Sequence, residues 1–361
     1  MNLMAALMLL AAINTPFWTE LGPGRYEVGF RTLYARDHRH AWSKSADPGR
    51  PIRVSVWYPA HLSSRSMRMT YGDYLHHTGP ADFQQLNDQL DRMDAESWLS
   101  DLGELVPDAK KTYARLLALP AAAHRDAPAA AGRFPLVLYS GGKASRGDAN
   151  VELAEFLASH GYVVATVPQL GPSDREIELG SSPREIALHA DDFESALAAL
   201  HGLDDIDFSR IATGGHSAGG EVAAELAMRH PEVSAVFGLD ASFGMSSGAR
   251  VFEQLPEYVP HRRIAAALLD LRRSNGSQGV KLDLTAIDAL HWSHVSRVMI
   301  DNAYHGDFTE WGMVAYVLGI PMPPNTAAHT RALGHRVNVR TCHAVLDFLD
   351  GHLRAAKRTR A

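Results

Sequence analysis

The chain has 361 residues, 46% of them hydrophobic and 21% charged, and a formal net charge of −6. Such a length buries a sizeable core in one large domain or two ordinary ones, and the composition excludes a disordered or fibrous protein. The negative balance gives no basic footprint, so no nucleic acid partner is expected, and the single cysteine, Cys342, excludes an internal disulfide or a cysteine-rich zinc site.

Leu3–Ile13 is apolar but too short to span a bilayer as a helix. With Ala11 and Ala12 near its end, it reads as the apolar part of a secretory signal within residues 1–24, although no Lys or Arg precedes Arg25. Export, to the periplasm or outside the cell, is then favoured over the cytoplasm. The alternative is a retained N-terminal segment that touches a membrane surface.

Residues 25–361 are expected to form one domain. Arg25–Leu33 and Pro51–Tyr58 are β-rich and predict two antiparallel strands. Residues 82–119 turn helical, with Met93, Trp98, Leu102 and Leu105 near helical spacing, and Ala121–Gly132 reads as a linker. A βα rhythm follows. Strands are predicted at Phe134–Ser140, Gly161–Val167, Arg210–Gly214, Val233–Leu239, Ile264–Leu271 and Val295–Ile300. Helices are predicted at Val151–His160, Ile186–Leu200, Ala218–Arg229 and Thr341–Leu353. The alternation implies an α/β fold: a mostly parallel central sheet flanked by helices, with a helical insertion at 82–119.

Gly215-His216-Ser217-Ala218-Gly219 fits G-x-S-x-G, the turn that holds a nucleophilic serine between a strand and a helix. The glycines leave room for a sharp turn, and the helix N-terminus beyond it favours developing negative charge. The plain alternative is a tight structural turn, but the flanking strand and helix are those the motif requires.

A serine hydroxyl needs a base to take its proton, and the base needs a carboxylate to orient it. On this type of turn the partners follow in the order acid, then histidine. Asp240 ends the strand after the nucleophile helix, and Asp270 lies near the end of the next, so both are candidate acids. Among 19 histidines, His305 follows the last predicted strand in a small-residue turn and is the candidate base. His216 is expected to point away from Ser217. His291 and His294 lack a third ligand, so no metal is expected. His38, His40, His76 and His77 read as solvated. For the oxyanion, the Ala218 N–H is the first donor. The glycine-rich turn after Phe134–Ser140 supplies the Lys143 N–H as the second, with Gly142 as its substitute.

In these motifs the chain resembles the α/β-hydrolase superfamily. It looks closest to the bacterial branch similar to platelet-activating-factor acetylhydrolase and dienelactone hydrolase. PLVLYSGG resembles the oxyanion strand, FLASHGYVVATV the unit after it, GHSAGG the elbow, GLDAS the acid-bearing strand end, and Tyr304-His305-Gly306-Asp307-Phe308 the histidine turn. The step of 23 residues from Ser217 to Asp240 is like that of the acetylhydrolases and favours Asp240 over Asp270. Two departures stand out: Gly141-Gly142 replaces the usual His-Gly, and Ser217 stands where dienelactone hydrolases have cysteine.

The resemblance implies a cofactor-free serine esterase acting on a small-molecule ester of short to medium acyl chain, lipid-like esters included. Gly142, His216, Trp98, Tyr258 and Trp311 are candidate pocket residues, and the 82–119 insertion a candidate lid. An acyltransferase or peptidase on the same scaffold is the nearest alternative. A non-catalytic lipid- or partner-binding protein is another, against which the three ordered triad residues argue. The oligomeric state is not encoded in any motif.

Overall fold

A computed structural model describes residues 15–43, 49–143, 145, 148–178, 180–275, 279–321 and 329–354. The apolar run at 3–13 lies outside the described residues. The chain begins with β1 (Glu27–Asp37), β2 (Arg50–Ala60), β3 (Met67–Thr70), α1 (Ala81–Leu105), α2 (Ala109–Leu117) and β4 (Pro120–Arg125). It continues with β5 (Phe134–Ser140), α3 (Val151–Ser159), β6 (Val163–Thr166), the short pair β7 (Leu170–Ser173) and β8 (Glu176–Glu178), and α4 (Pro183–Leu200). Then come β9 (Ile206–His216), α5 (Ala218–Arg229), β10 (Val233–Leu239), α6 (Ser246–Phe252), β11 (Arg263–Arg273) and α7 (Thr285–Asp288). The last elements are β12 (His291–Ile300), α8 (Glu310–Leu318) and α9 (Arg331–Leu349).

Ten strands form one sheet in the order β12-β11-β10-β9-β5-β6-β2-β1-β4-β3. From β12 to β6 every pairing is parallel, whereas β2 joins β6 and β1 joins β2 antiparallel. The parallel strands are apolar on both faces because helices cover both. In β5, Val137 and Tyr139 join the cluster under α3, α8 and α9, while Leu136 and Leu138 join the one under α4 and α5. The described segments thus form the expected α/β architecture, with the strand ends of β5, β9, β10 and β11 side by side at one edge.

Several boundaries differ from the sequence reading. Phe17, Trp18 and Leu21 are core residues, and the Trp18 indole donates to Glu155, so packing begins ahead of Arg25. Ala121–Gly132 is not all linker: β4 pairs parallel with β1 through Val28 and Ala123, and the Ala123 N–H donates to Glu155 at 2.8 Å. Alanines carry little strand preference, so only the pairing reveals it. The final helix starts ten residues earlier than expected, where the Thr330 hydroxyl accepts from the Leu333 N–H at 3.2 Å. Helix α8, capped by Thr309 and ended by Gly319 in the left-handed region, was not foreseen. Cys342 is buried in α9, where burial pushes its thiol up. No helix among the described residues is long and apolar enough to cross a membrane.

Candidate active site

Ser217 sits between β9 and α5 at φ 54° and ψ −125°, a conformation side chains rarely adopt. Its neighbours explain how the turn closes. A Cβ at Gly215 would lie 2.2 Å from the Gly219 backbone, and one at Gly219 would lie 2.1 Å from the Ser140 carbonyl oxygen. The turn is tied down by the Ser217 N–H donating to the Leu239 carbonyl at 3.1 Å and the Ser242 N–H donating to the Ser217 carbonyl at 2.9 Å. The hydroxyl stands 3.5 Å from Ser242 Oγ.

Asp240 follows β10, fully buried, and its carboxylate accepts from His305 Nδ1 at 2.5 Å. Burial pushes its carboxyl up, but the His305 hydrogen bond and the His305 and Arg273 charges outweigh that and hold it below the usual range. Arg273 is a partner no motif announces. Its Nε donates to Asp240 Oδ2 at 2.6 Å and its backbone N–H to Oδ1 at 3.1 Å. Only the run Asp270-Leu271-Arg272-Arg273 hinted at it, through the charges closing a buried strand.

Asp270, the other candidate acid, does not approach His305. Alternation along β11 turns it to the opposite sheet face from Arg273. There it accepts from Arg272 Nε at 2.8 Å and from Arg297 Nε at 2.8 Å. Its role is to neutralise two guanidinium groups.

His305 opens a short 3₁₀ turn, held by the Asp307 carboxylate, which accepts from the Tyr304 N–H at 2.6 Å and lies 2.7 Å from His329 Nε2. His216 does not point away from the site. Its ring packs 4.3 Å from that of His305, and its Nε2 donates to the His305 carbonyl at 3.1 Å. Burial, and then the neighbouring His305, depress the His216 imidazole to about 3. It is therefore neutral, and its Nε2 carries the proton.

Ser217, His305 and His216 line a cavity of about 390 Å³ together with Gly142 and Lys143. A Cβ on Gly142 would lie 3.1 Å from His216 Nδ1 and 3.4 Å from Ser217 Cβ, so this turn lies directly against the serine. Asp94, Ser97, Trp98 and Asp101 of α1 add a wall, their spacing placing them on one helical face. Trp98 meets Trp311 of α8 at a ring-centroid distance of 4.7 Å. Tyr258 is elsewhere: it packs edge-on against Phe252 and donates to the Ala286 carbonyl at 3.1 Å.

Carboxylates gather behind the cavity. Asp148 accepts from Ser55 Oγ at 2.8 Å and lies 3.3 Å from His77 Nε2. His77 is therefore buried rather than solvated. Burial and Arg53 push its imidazole down, but Asp148 and Asp91 outweigh them and hold it above its ordinary value. Glu310 accepts from the Asn150 N–H at 2.7 Å, and burial, then the charge of Glu310, pushes Glu152 up to about 8. On β12, His291 and His294 fall on opposite faces, and no group of three or more His, Cys, Asp or Glu among the described residues could hold a metal ion.

Glu221, on the nucleophile helix, is buried, and burial alone raises its carboxyl from 4.5 to about 8. A raised pKa means the folded state keeps its proton longer. The contribution of this group to stability is whole below about pH 4.5 and falls as pH rises to about 8, the loss reaching about 3 kcal/mol at pH 7. Glu221→Gln is expected to melt with the wild type at pH 4.5 and progressively higher by pH 8. Parallel melting curves across that range would sink this account.

The chlorophyllase family model matches residues 109–264. Among solved structures, a ferulic acid esterase from Streptomyces cinnamoneus is 20% identical, with 93% of each chain covered and a TM-score of 0.63. A dienelactone hydrolase-like promiscuous phosphotriesterase from metagenomic libraries is 12% identical, covering 89% of this chain and 98% of its own, with a TM-score of 0.45. A puromycin-hydrolyzing peptidase from Mycobacterium tuberculosis is 14% identical, covering 90% of this chain and 39% of its own, with a TM-score of 0.47. No curated protein matches the chain. The likeness to the ferulic acid esterase, over nearly the whole length of both, establishes the α/β-hydrolase fold.

Proposed function

We propose that this chain of α/β-hydrolase fold is a serine carboxylic-ester hydrolase acting on small-molecule esters of short to medium acyl chain, with Ser217, His305 and Asp240 as its triad. The observation that carries the reading is convergence: a strained serine, and a histidine hydrogen-bonded to a buried aspartate, line one cavity. The match to the chlorophyllase family model over the elbow and acid segments supports it.

In this mechanism the Ser217 hydroxyl turns from Ser242 to His305 Nε2 as substrate enters, a tightening that resting hydrolases commonly await. Its oxygen attacks the acyl carbonyl, His305 takes the proton, and Asp240 stabilises the imidazolium. The Ala218 N–H and the turn at Gly142 and Lys143 hold the oxyanion. His305 then gives its proton to the departing alcohol. Water, deprotonated by the same imidazole, splits the acyl-Ser217 ester and releases the acid.

The test is turnover of p-nitrophenyl acetate, butyrate and octanoate, together with intact mass after a fluorophosphonate probe. One adduct and measurable ester cleavage are expected. A folded protein that takes no label and cleaves none of the three would defeat the proposal. The series also examines the wall: Trp98→Ala is expected to raise KM for the butyrate about tenfold, the loss of one large aromatic contact, with labelling intact. An unchanged KM would remove Trp98 from the acyl pocket.

A further inference from the structure

We propose that Arg273 is a positioning residue that shares the Asp240 carboxylate with His305 and limits how strongly that carboxylate holds the imidazolium formed during turnover. The inference rests on the triad reading above. Asp240 Oδ2 accepts from both His305 Nδ1, at 2.5 Å, and Arg273 Nε, at 2.6 Å, while Arg273 Nη2 stands 3.4 Å from His305 Nδ1. Arg273 is nearly buried, its side chain 8% exposed, and Asp240 is fully buried, so solvent screens this pair weakly, while the His305 side chain is 34% exposed.

Two consequences follow from the geometry. The carboxylate's charge is divided between a permanent cation and the imidazole, so an imidazolium gains less from it. Nδ1 already gives its proton to Oδ2 and has no lone pair for Nη2. The guanidinium therefore meets the ring as a charge, and a protonated ring is repelled. Both effects weaken the stabilisation of an imidazolium at His305, including the one formed in the transition state. The other groups facing His305 are the neutral His216 ring and Ser217, with Asp94, Asp101, Lys143, Asp148 and Glu310 on the walls of the same cavity.

The experiment is the pH dependence of kcat/KM for p-nitrophenyl acetate, and of the fluorophosphonate labelling rate, in wild type, Arg273→Gln and Arg273→Lys, with melting curves. Losing the cation in Arg273→Gln is expected to move the acid limb upward by about one pH unit. Arg273→Lys keeps a charge but lacks the planar fork, so its limb moves up by less and its plateau falls several-fold. A purely structural arginine would lower melting temperature or plateau and leave the limb where it is. Coincidence of the Gln and wild-type limbs overturns the proposal. Should the Gln variant not fold, coincidence of the Lys and wild-type limbs overturns it. A wild type that neither labels nor turns over defeats the triad reading instead, which an active wild type with unmoved limbs does not.

Discussion

Replacing Ser217 by alanine is expected to abolish fluorophosphonate labelling and to lower kcat by about 10⁶-fold, leaving only what oxyanion donors and binding can do alone. The size follows from the cooperation of the three groups: without the hydroxyl, His305 has no proton to take and no acyl-enzyme forms. The fold is expected to survive. Alanine meets the same positive φ as serine, and the turn is held by backbone hydrogen bonds to Leu239 and Ser242, which the substitution does not touch. An Ser217→Ala protein that still takes one covalent label at wild-type rate would place the nucleophile elsewhere.

The second large effect separates the two aspartates. Asp240→Asn is expected to cost about 10⁴ in kcat, because an amide offers His305 Nδ1 no anion and can leave it in the wrong tautomer. Asp270→Asn is expected to leave kcat of the folded protein within about threefold while lowering stability by about 3–5 kcal/mol, since Arg272 and Arg297 keep their charges with no buried acid between them. Turnover per folded molecule and melting temperature, measured on both variants, make the comparison. A kcat loss confined to Asp270→Asn would reverse the assignment of the acid.

Much of this arrangement was legible in the chain because it is local. The G-x-S-x-G turn is written in consecutive residues, and Gly215 is required by the nearby backbone of Gly219, although Gly219 itself is required by the Ser140 carbonyl of β5. The βα rhythm from Phe134 onward survives because each buried parallel strand must be apolar on both faces. Asp240 and His305 could be read as strand-end residues, though which aspartate meets the histidine depended on alternation along β11. What stayed hidden is long-range. Arg273 reaches Asp240 across neighbouring strands, and the buried His77 meets Asp148, which comes to it from a distant segment. The residues Ala121 to Ala123 have too little side chain to signal a strand that pairing creates. His216 lines the pocket as a candidate residue for it, but its packing on His305 was not legible, because the neighbouring serine's orientation says nothing of what fills the space above the turn.

The tilted ring pair Trp98 and Trp311 also bears on how the protein comes into being. The helix that walls the cavity is synthesised early, yet its cavity-side tryptophan leans on a helix that follows His305. A growing chain therefore carries Ser217 out of the ribosome before either the base or the far support of the wall exists. On the proposed triad, Ser217 has neither its base nor the far support of the cavity wall until about the last sixth of the chain has followed.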